Sequence, residues 1–314
     1  MTNNFYDKSD TLILPVDEII VDGEISNPGP VDLKSLKLHS VIVKETLLDS
    51  IGNDRFVGAY RYDGYSLFDI LNERVVNKVN REEFDSVIDL YVEVTGKNGD
   101  KVVFSWGEIY YPNNLHKIII AGRVSRIVPS STKELWPLPS TYKIVAASDL
   151  VTERNISQPV RINVKSVRKS CKVVKDLSPM YSRDVTLFEE GKRISRTSPS
   201  DEDFDVTYHT VFYGRGRGIH STTPFSGILL KDILGEYYVR NRRNLKEAII
   251  CITGADGYRT TISFSELFNR NDQQEFLFVK TEDDEDGGLF RIFAAADFFS
   301  DRAVKSVKEV DLVR

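Results

Sequence analysis

Residues 94–109 read VTGKNGDKVVFSWGEI, and residues 252–267 read ITGADGYRTTISFSEL. The two stretches share Thr, Gly, Gly, Ser and Glu at matching places, with Val/Ile, Lys/Arg, Trp/Phe and Ile/Leu exchanges between them. Two further blocks repeat. YKIVAASDLVTER (142–154) matches FRIFAAADFFSDR (290–302), and DGYSLFDIL (63–71) matches SGILLKDIL (226–234). The three pairs lie 163, 158 and 148 residues apart in chain order, so the copies keep their order and differ in the lengths of their connections. Loops tolerate such length changes and packed elements do not. The pattern is that of a tandem duplication, and it fixes the domain count before any other property does.

A chain of 314 residues suits two domains of this size. The repeat is far too long for a solenoid, so each copy carries its own core. The expected division is 16–166 for the first domain and 167–314 for the second. A net charge of −5 supplies no global attraction to nucleic acid. No apolar run approaches the ~20 residues of a membrane span. The first twenty residues lack a basic start and a continuous apolar stretch, so no signal peptide is expected in this chain. It suits a cytoplasmic protein, or an exported one already trimmed of its leader. Cys171 and Cys251 stand far apart with no Cys-x-x-Cys spacing, and no disulfide between them is expected.

Local patterns repeat as well. DLYVEVTGKNGDKVVFSW predicts a hairpin turning on Asn98-Gly99, and the second copy turns on Asp256-Gly257. Ser105 and Ser263 are placed to cap short helices, with Glu108 and Glu266 in the first turn facing the helix dipole. SLFDILNERV and ILLKDILGEYYV are the strongest helix candidates, and a short helix opened by Asp32 is expected over VDLKSL. SQPVRINVKSV and KSVKEVDLV alternate apolar and polar residues as terminal strands. Residues 181–208 are polar and read as an excursion at the start of copy two. Mixed strands and short helices without a regular β-α-β rhythm predict an α+β class for each copy.

These blocks resemble the molybdopterin-binding domain of the sulfite-oxidase family. That family has a Gly-x-x-Leu-x-Asp-Leu-Leu helix, a Val-Thr-Gly-Ala-Asp-Gly-Tyr hairpin leading to Glu-Leu, a Gly-Gly-Pro-Leu-Arg-Leu strand and an Arg-Trp-Val-Lys strand. Here SGILLKDIL, ITGADGYRTTISFSEL, DGGLFRIFAAAD and RAVKSVKEVDL follow in the same order, with weaker counterparts in copy one. The resemblance implies two oxidoreductase-like domains with molybdopterin as a possible cofactor. Catalytic members bind molybdenum through a cysteine thiolate just upstream of the Gly-x-x-Leu-x-Asp-Leu-Leu helix. Neither DVTYHTVFYGRGRGIHSTTPF (205–225) nor HSVIVKETLLDSIGNDRFVGAYRY (39–62) contains a cysteine there. Soft thiolate donors hold such metals. The resemblance therefore implies a scaffold without its metal ligand, and no cofactor is expected unless molybdopterin itself is retained.

GRGRGIH (214–220) carries the main candidate site. Its glycines can expose backbone N–H groups, and Arg215, Arg217 and His220 could hold an anion such as a pterin phosphate. The same residues suit a solvated surface loop. Phe212 and Tyr213 stand where the missing thiolate would lie, and an aromatic ring there is expected to narrow or close the cofactor pocket. Asp149/Arg154 and Asp297/Arg302 recur at the same spacing and suit structural ion pairs. The four histidines, His39, His116, His209 and His220, form no zinc-hydrolase spacing, and no Gly-x-Ser-x-Gly elbow occurs. No metal site is expected; TEDDEDGG (281–288) lacks the spacing of a calcium loop. The leading expectation is a non-catalytic binding or interaction protein with a small-molecule or protein ligand. A molybdopterin-binding oxidoreductase with an atypical site in the second domain is the alternative.

Overall fold

The computed structural model describes residues 7–8, 10–198, 206–280 and 290–314. In the first repeat the strands are β1 (Asp7–Lys8), β2 (Leu12–Ile13), β3 (Ile20–Gly23), β4 (Gly29–Pro30), β5 (Leu38–Leu48) and β6 (Asp54–Ser66). Helix α1 (Leu67–Asn72) follows, then β7 (Leu90–Gly96), β8 (Lys101–Ser105), helix α2 (Trp106–Tyr110), β9 (Ile118–Val128), β10 (Lys143–Ala146) and β11 (Pro159–Ser166). The second repeat opens with β12 (Val185–Glu189), β13 (Lys192–Thr197), β14 (Val206–Tyr208), β15 (Phe212–Gly214), β16 (Gly218–Ser221) and β17 (Phe225–Leu229). It continues through helices α3 (Leu230–Gly235) and α4 (Arg242–Glu247), strands β18 (Ile249–Gly254) and β19 (Arg259–Ser263), and helix α5 (Phe264–Phe268). The last strands are β20 (Phe276–Lys280), β21 (Phe290–Ala294) and β22 (Val307–Val313).

The α+β expectation is overturned. Strand accounts for 44% of the described residues and helix for 12%, and the sheets are small; this is a mostly-β protein, not a pair of α+β oxidoreductase-like domains. The leucine-rich runs that pointed to helices are helical for only six residues each, Leu67–Asn72 and Leu230–Gly235. Helices that short do not stand alone and form only where an apolar face is buried, here by Leu67, Ile70 and Leu71 in α1. The expected helix after Asp32 is only a turn, in which the Asp32 carboxylate accepts the Lys34 N–H at 3.1 Å. Residues 185–197, expected as part of a polar excursion, form the β12–β13 hairpin, turning where Glu190 and Gly191 both adopt positive φ.

The sheet order is the same in both repeats. One sheet runs β4-β3-β11-β7-β8 and its counterpart runs β13-β12-β22-β18-β19. In each, an early strand of the repeat pairs in parallel with the last, β3 with β11 and β12 with β22. A second sheet contains β5-β6-β9-β10 in the first repeat, with β1 and β2 also on β9, and β14-β17-β20-β21 in the second. The shared glycines follow from this pairing. A Cβ on Gly64 would lie 2.2 Å from the Ile120 carbonyl oxygen across the sheet, and one on Gly227 would lie 2.6 Å from that of Phe278.

By compactness the chain divides into two units. The first comprises residues up to Asn77, Glu93–Val102 and Asn114–Val164; the second comprises Lys78–Val92, Val103–Asn113 and Lys165–Arg314. Two pieces of the first repeat are therefore part of the second unit. In the first unit, Val21, Tyr62, Ile119 and Ile162 are fully buried in the core. In the second, Val103, Val167, Ile249 and Cys251 form one apolar cluster, and Leu277, Val279 and Phe293 another. Among the described residues, no helix is long and apolar enough to cross a membrane.

Candidate functional site

The GRGRG segment forms the tip of a two-stranded ribbon in the second unit. Strands β15 and β16 pair through Gly214 and Gly218, and Gly218 takes a positive φ of 79° to close the turn. The His220 ring lies against Gly214: a Cβ there would come within 2.2 Å of its Nε2. Only glycine at 214 admits that ring.

The three residues expected to hold an anion do not act together. Arg215 turns away, its Nη2 donating to Tyr111 Oη at 2.6 Å and to Asp301 Oδ1 at 2.7 Å. Its guanidinium also lies over the Tyr111 and Phe299 rings, 5.7 and 5.8 Å from their centroids. Burial, aided by the Asp301 carboxylate, pushes the Tyr111 phenol up to about 12. Arg215 is thus part of an ion pair backed by aromatic rings.

Arg217 and His220 both line a cleft of about 490 Å³ together with Phe212, Phe225, Arg291 and Lys305. Arg291 and Lys305 were not singled out by the sequence. They come from β21 and from the segment before β22, elements far along the chain from the ribbon. The Arg291 guanidinium is 5.5 Å from the Phe225 ring centroid and 5.9 Å from that of Phe212, within cation–π range. Phe212 packs edge-on against Phe225 at 5.2 Å and against Phe293 at 6.2 Å. The cleft therefore has cationic groups on an aromatic wall.

Phe212 also borders a second, nearly filled space. Val211, Tyr213, Phe293, Phe298 and Phe299 join it around a void of only about 10 Å³, room for roughly one water. Aromatic packing closes this side of Phe212, while its other side remains open as the basic cleft.

The repeated Asp-x-x-x-x-Arg pairs are buried and bidentate. Arg154 Nε and Nη2 donate to the two Asp149 oxygens at 2.8 and 2.7 Å. Arg302 does the same to Asp297 at 2.8 and 2.6 Å, and its Nη2 also reaches Glu266 Oε1 at 2.7 Å. Burial pushes Asp297 up to about 6 against the pull of Arg302. Glu108 N–H bonds to the Ser105 hydroxyl and the Glu108 carboxylate takes the Ser105 N–H, a full capping box. These groups position backbone.

Cys171 and Cys251 are both free thiols. Cys251 is completely buried, and desolvation pushes its thiol up to about 11. The acidic stretch 281–288 lies outside the described residues.

In the first unit, His39, Asp69 and His116 come together, a juxtaposition their sequence spacing did not show. Nearby Ser66 is not a nucleophile of a catalytic triad. It is fully buried, caps α1 and contacts His116 Nδ1 at 3.0 Å, while Asp69 bonds to the other histidine.

No protein-family model matches the sequence, and no curated protein matches it at a significant level.

Proposed function

We propose that this protein is a binding protein whose second unit takes a small anionic ligand, phosphate-bearing and with a flat ring, in the cleft beside the β15–β16 ribbon. The observation that carries this reading is the convergence of Arg217, His220, Arg291 and Lys305 with the Phe212 and Phe225 rings on one cleft of about 490 Å³. Arginine and lysine recognise phosphate by charge and hydrogen bonding, and an aromatic wall adds stacking surface for a ring. A volume in the range of small-ligand pockets supports a ligand larger than a bare ion.

Isothermal titration with pyrophosphate, a purine nucleoside monophosphate and a phosphate-bearing pterin tests the proposal. Binding of at least one probe is expected, weakened roughly tenfold or more in Arg217→Ala/Lys305→Ala, because each lost charged hydrogen bond is worth ~1.5–3 kcal/mol. Arg215→Ala should retain binding. Absence of binding by all three probes, or equal binding by the double variant, overturns the reading.

A further inference from the structure

The first unit brings two imidazoles and a carboxylate to one point by sheet register. His39 enters from the start of β5, opposite Gly64 of β6. Two residues on, Ser66 ends β6 and caps α1, which puts Asp69 in the first helical turn. Strand β9 pairs with β6 through Ile119 and Ser66, so His116, just ahead of β9, arrives beside that cap. Three segments remote in sequence thus meet at a strand-to-helix junction.

His39 Nε2 lies 2.7 Å from Asp69 Oδ2, and His116 Nδ1 lies 3.9 Å from the same oxygen. One ligand atom from each residue falls within 4.8 Å of the others. The imidazole rings stack at 3.7 Å with planes 11° apart. The edge-on contact of Phe68 with His116, at 5.7 Å, supports one side. Ser66 Oγ accepts the Asp69 N–H at 3.1 Å and touches His116 Nδ1 at 3.0 Å, tying the helix cap to the histidine. All three side chains keep between about a quarter and a third of their surface open, leaving an entry path.

We propose that His39, Asp69 and His116 form a site for a single divalent first-row transition cation, zinc foremost, with solvent in the remaining position. Two imidazole nitrogens and one carboxylate oxygen are the donor set such cations prefer, and three protein ligands leave one position open. With metal–ligand bonds of ~2.1 Å in a tetrahedron, neighbouring ligand atoms stand about 3.4 Å apart. The observed 2.7 and 3.9 Å lie on either side of that spacing. These two pairs need change only by about 0.5–0.7 Å to reach it, within reach of side-chain rotation. Stacked rings carry their in-plane lone pairs side by side, so binding tilts the rings apart until the lone pairs converge. Metal binding takes His116 Nδ1 from Ser66 Oγ, which keeps the Asp69 N–H and so still fixes the backbone of that ligand.

The test is titration of the full-length protein with zinc in a non-chelating buffer, and with cobalt followed by its visible absorption. One equivalent should bind, and cobalt should show the intense bands of a four-coordinate ion. His39→Gln and Asp69→Asn, each checked for native circular dichroism, should weaken binding roughly tenfold or more, while His209→Gln should not. No uptake by the wild type, or uptake unchanged in both site variants, overturns the proposal. Pyrophosphate binding in the second unit should be indifferent to these variants, which keeps the two readings separable.

Discussion

Replacing Gly107 by alanine should destabilise the second unit, although alanine is the better helix former. Gly107 lies in α2, and a Cβ there would sit 2.3 Å from Arg302 Cζ and Nη1 and 2.4 Å from Nε. Carbon–carbon contacts settle near 3.5–4.0 Å, so the guanidinium must move by more than 1 Å. It cannot swing out to solvent, because Arg302 is fully buried and held by Asp297 and Glu266. Displacing it leaves two buried carboxylates short of their partner. Breaking a buried pair costs ~3–5 kcal/mol, and the gain in helix propensity returns ~1 kcal/mol. A net loss of about 2–4 kcal/mol is expected from these two terms. Gly235 at the end of α3 is the matched control: a Cβ there meets only Phe268 at 3.7 Å, an ordinary contact. Gly235→Ala should be neutral or gain up to ~1 kcal/mol. Urea unfolding followed by circular dichroism and by tryptophan fluorescence would read both variants. A Gly107→Ala protein as stable as wild type, or a Gly235→Ala protein equally weakened, would refute the packing argument.

Asp89 is fully buried between Lys78 at 2.6 Å and Arg259 at 3.2 Å; Asp89→Ala takes the carboxylate from both cations and should cost ~3–5 kcal/mol of unfolding free energy in urea, whereas a loss below ~1 kcal/mol would mean the pairs act like exposed ones. Iodoacetamide at pH 8 should label Cys171 readily and leave Cys251 unmodified in the native state, since the Cys251 thiol is pushed up to about 11 and fully buried; fast modification of both contradicts its placement. Burial pushes Tyr60, Tyr111 and Tyr142 up to about 12 from an ordinary value of 10.0, and Tyr62, Tyr238 and Tyr258 upward too. Unfolded phenols ionise first, so stability is intact below about pH 10 and falls as pH rises toward 12. Tyrosinate absorbance from these residues should appear together with loss of circular dichroism, not before it.

Much of the architecture was legible because it is written twice. The glycines shared by the two copies mark strand crossings too close for a side chain: Gly64 and Gly227 face a neighbouring carbonyl, as do Gly96 and Gly254. The hairpins at Asn98-Gly99 and Asp256-Gly257 and the serine caps at 105 and 263 follow from local chemistry and form where expected. The fold class was misread because Leu-rich stretches fit both a helix and a strand-to-helix junction. In the fold those stretches give helices of only six residues, α1 and α3, each directly following a strand. The polar composition of residues 181–208 hid the hairpin that Glu190-Gly191 closes between β12 and the charged β13. Arg215, Arg217 and His220 looked equivalent in sequence, yet Asp301 and Tyr111, remote in sequence, take Arg215 and leave the other two on the cleft. The His39, Asp69 and His116 group depends wholly on strand register, which no short motif encodes.

Hydrogen–deuterium exchange of the full-length protein, with and without a saturating probe from the titration series, tests the central claim most directly. Occupation of the basic cleft should slow exchange in the β15–β16 ribbon, Phe212–Ser221, and around Arg291 and Lys305, while β5, β6 and β9 of the first unit stay unchanged. Protection confined to any other region, or exchange unaltered by every probe, would contradict an anion-binding role for this cleft.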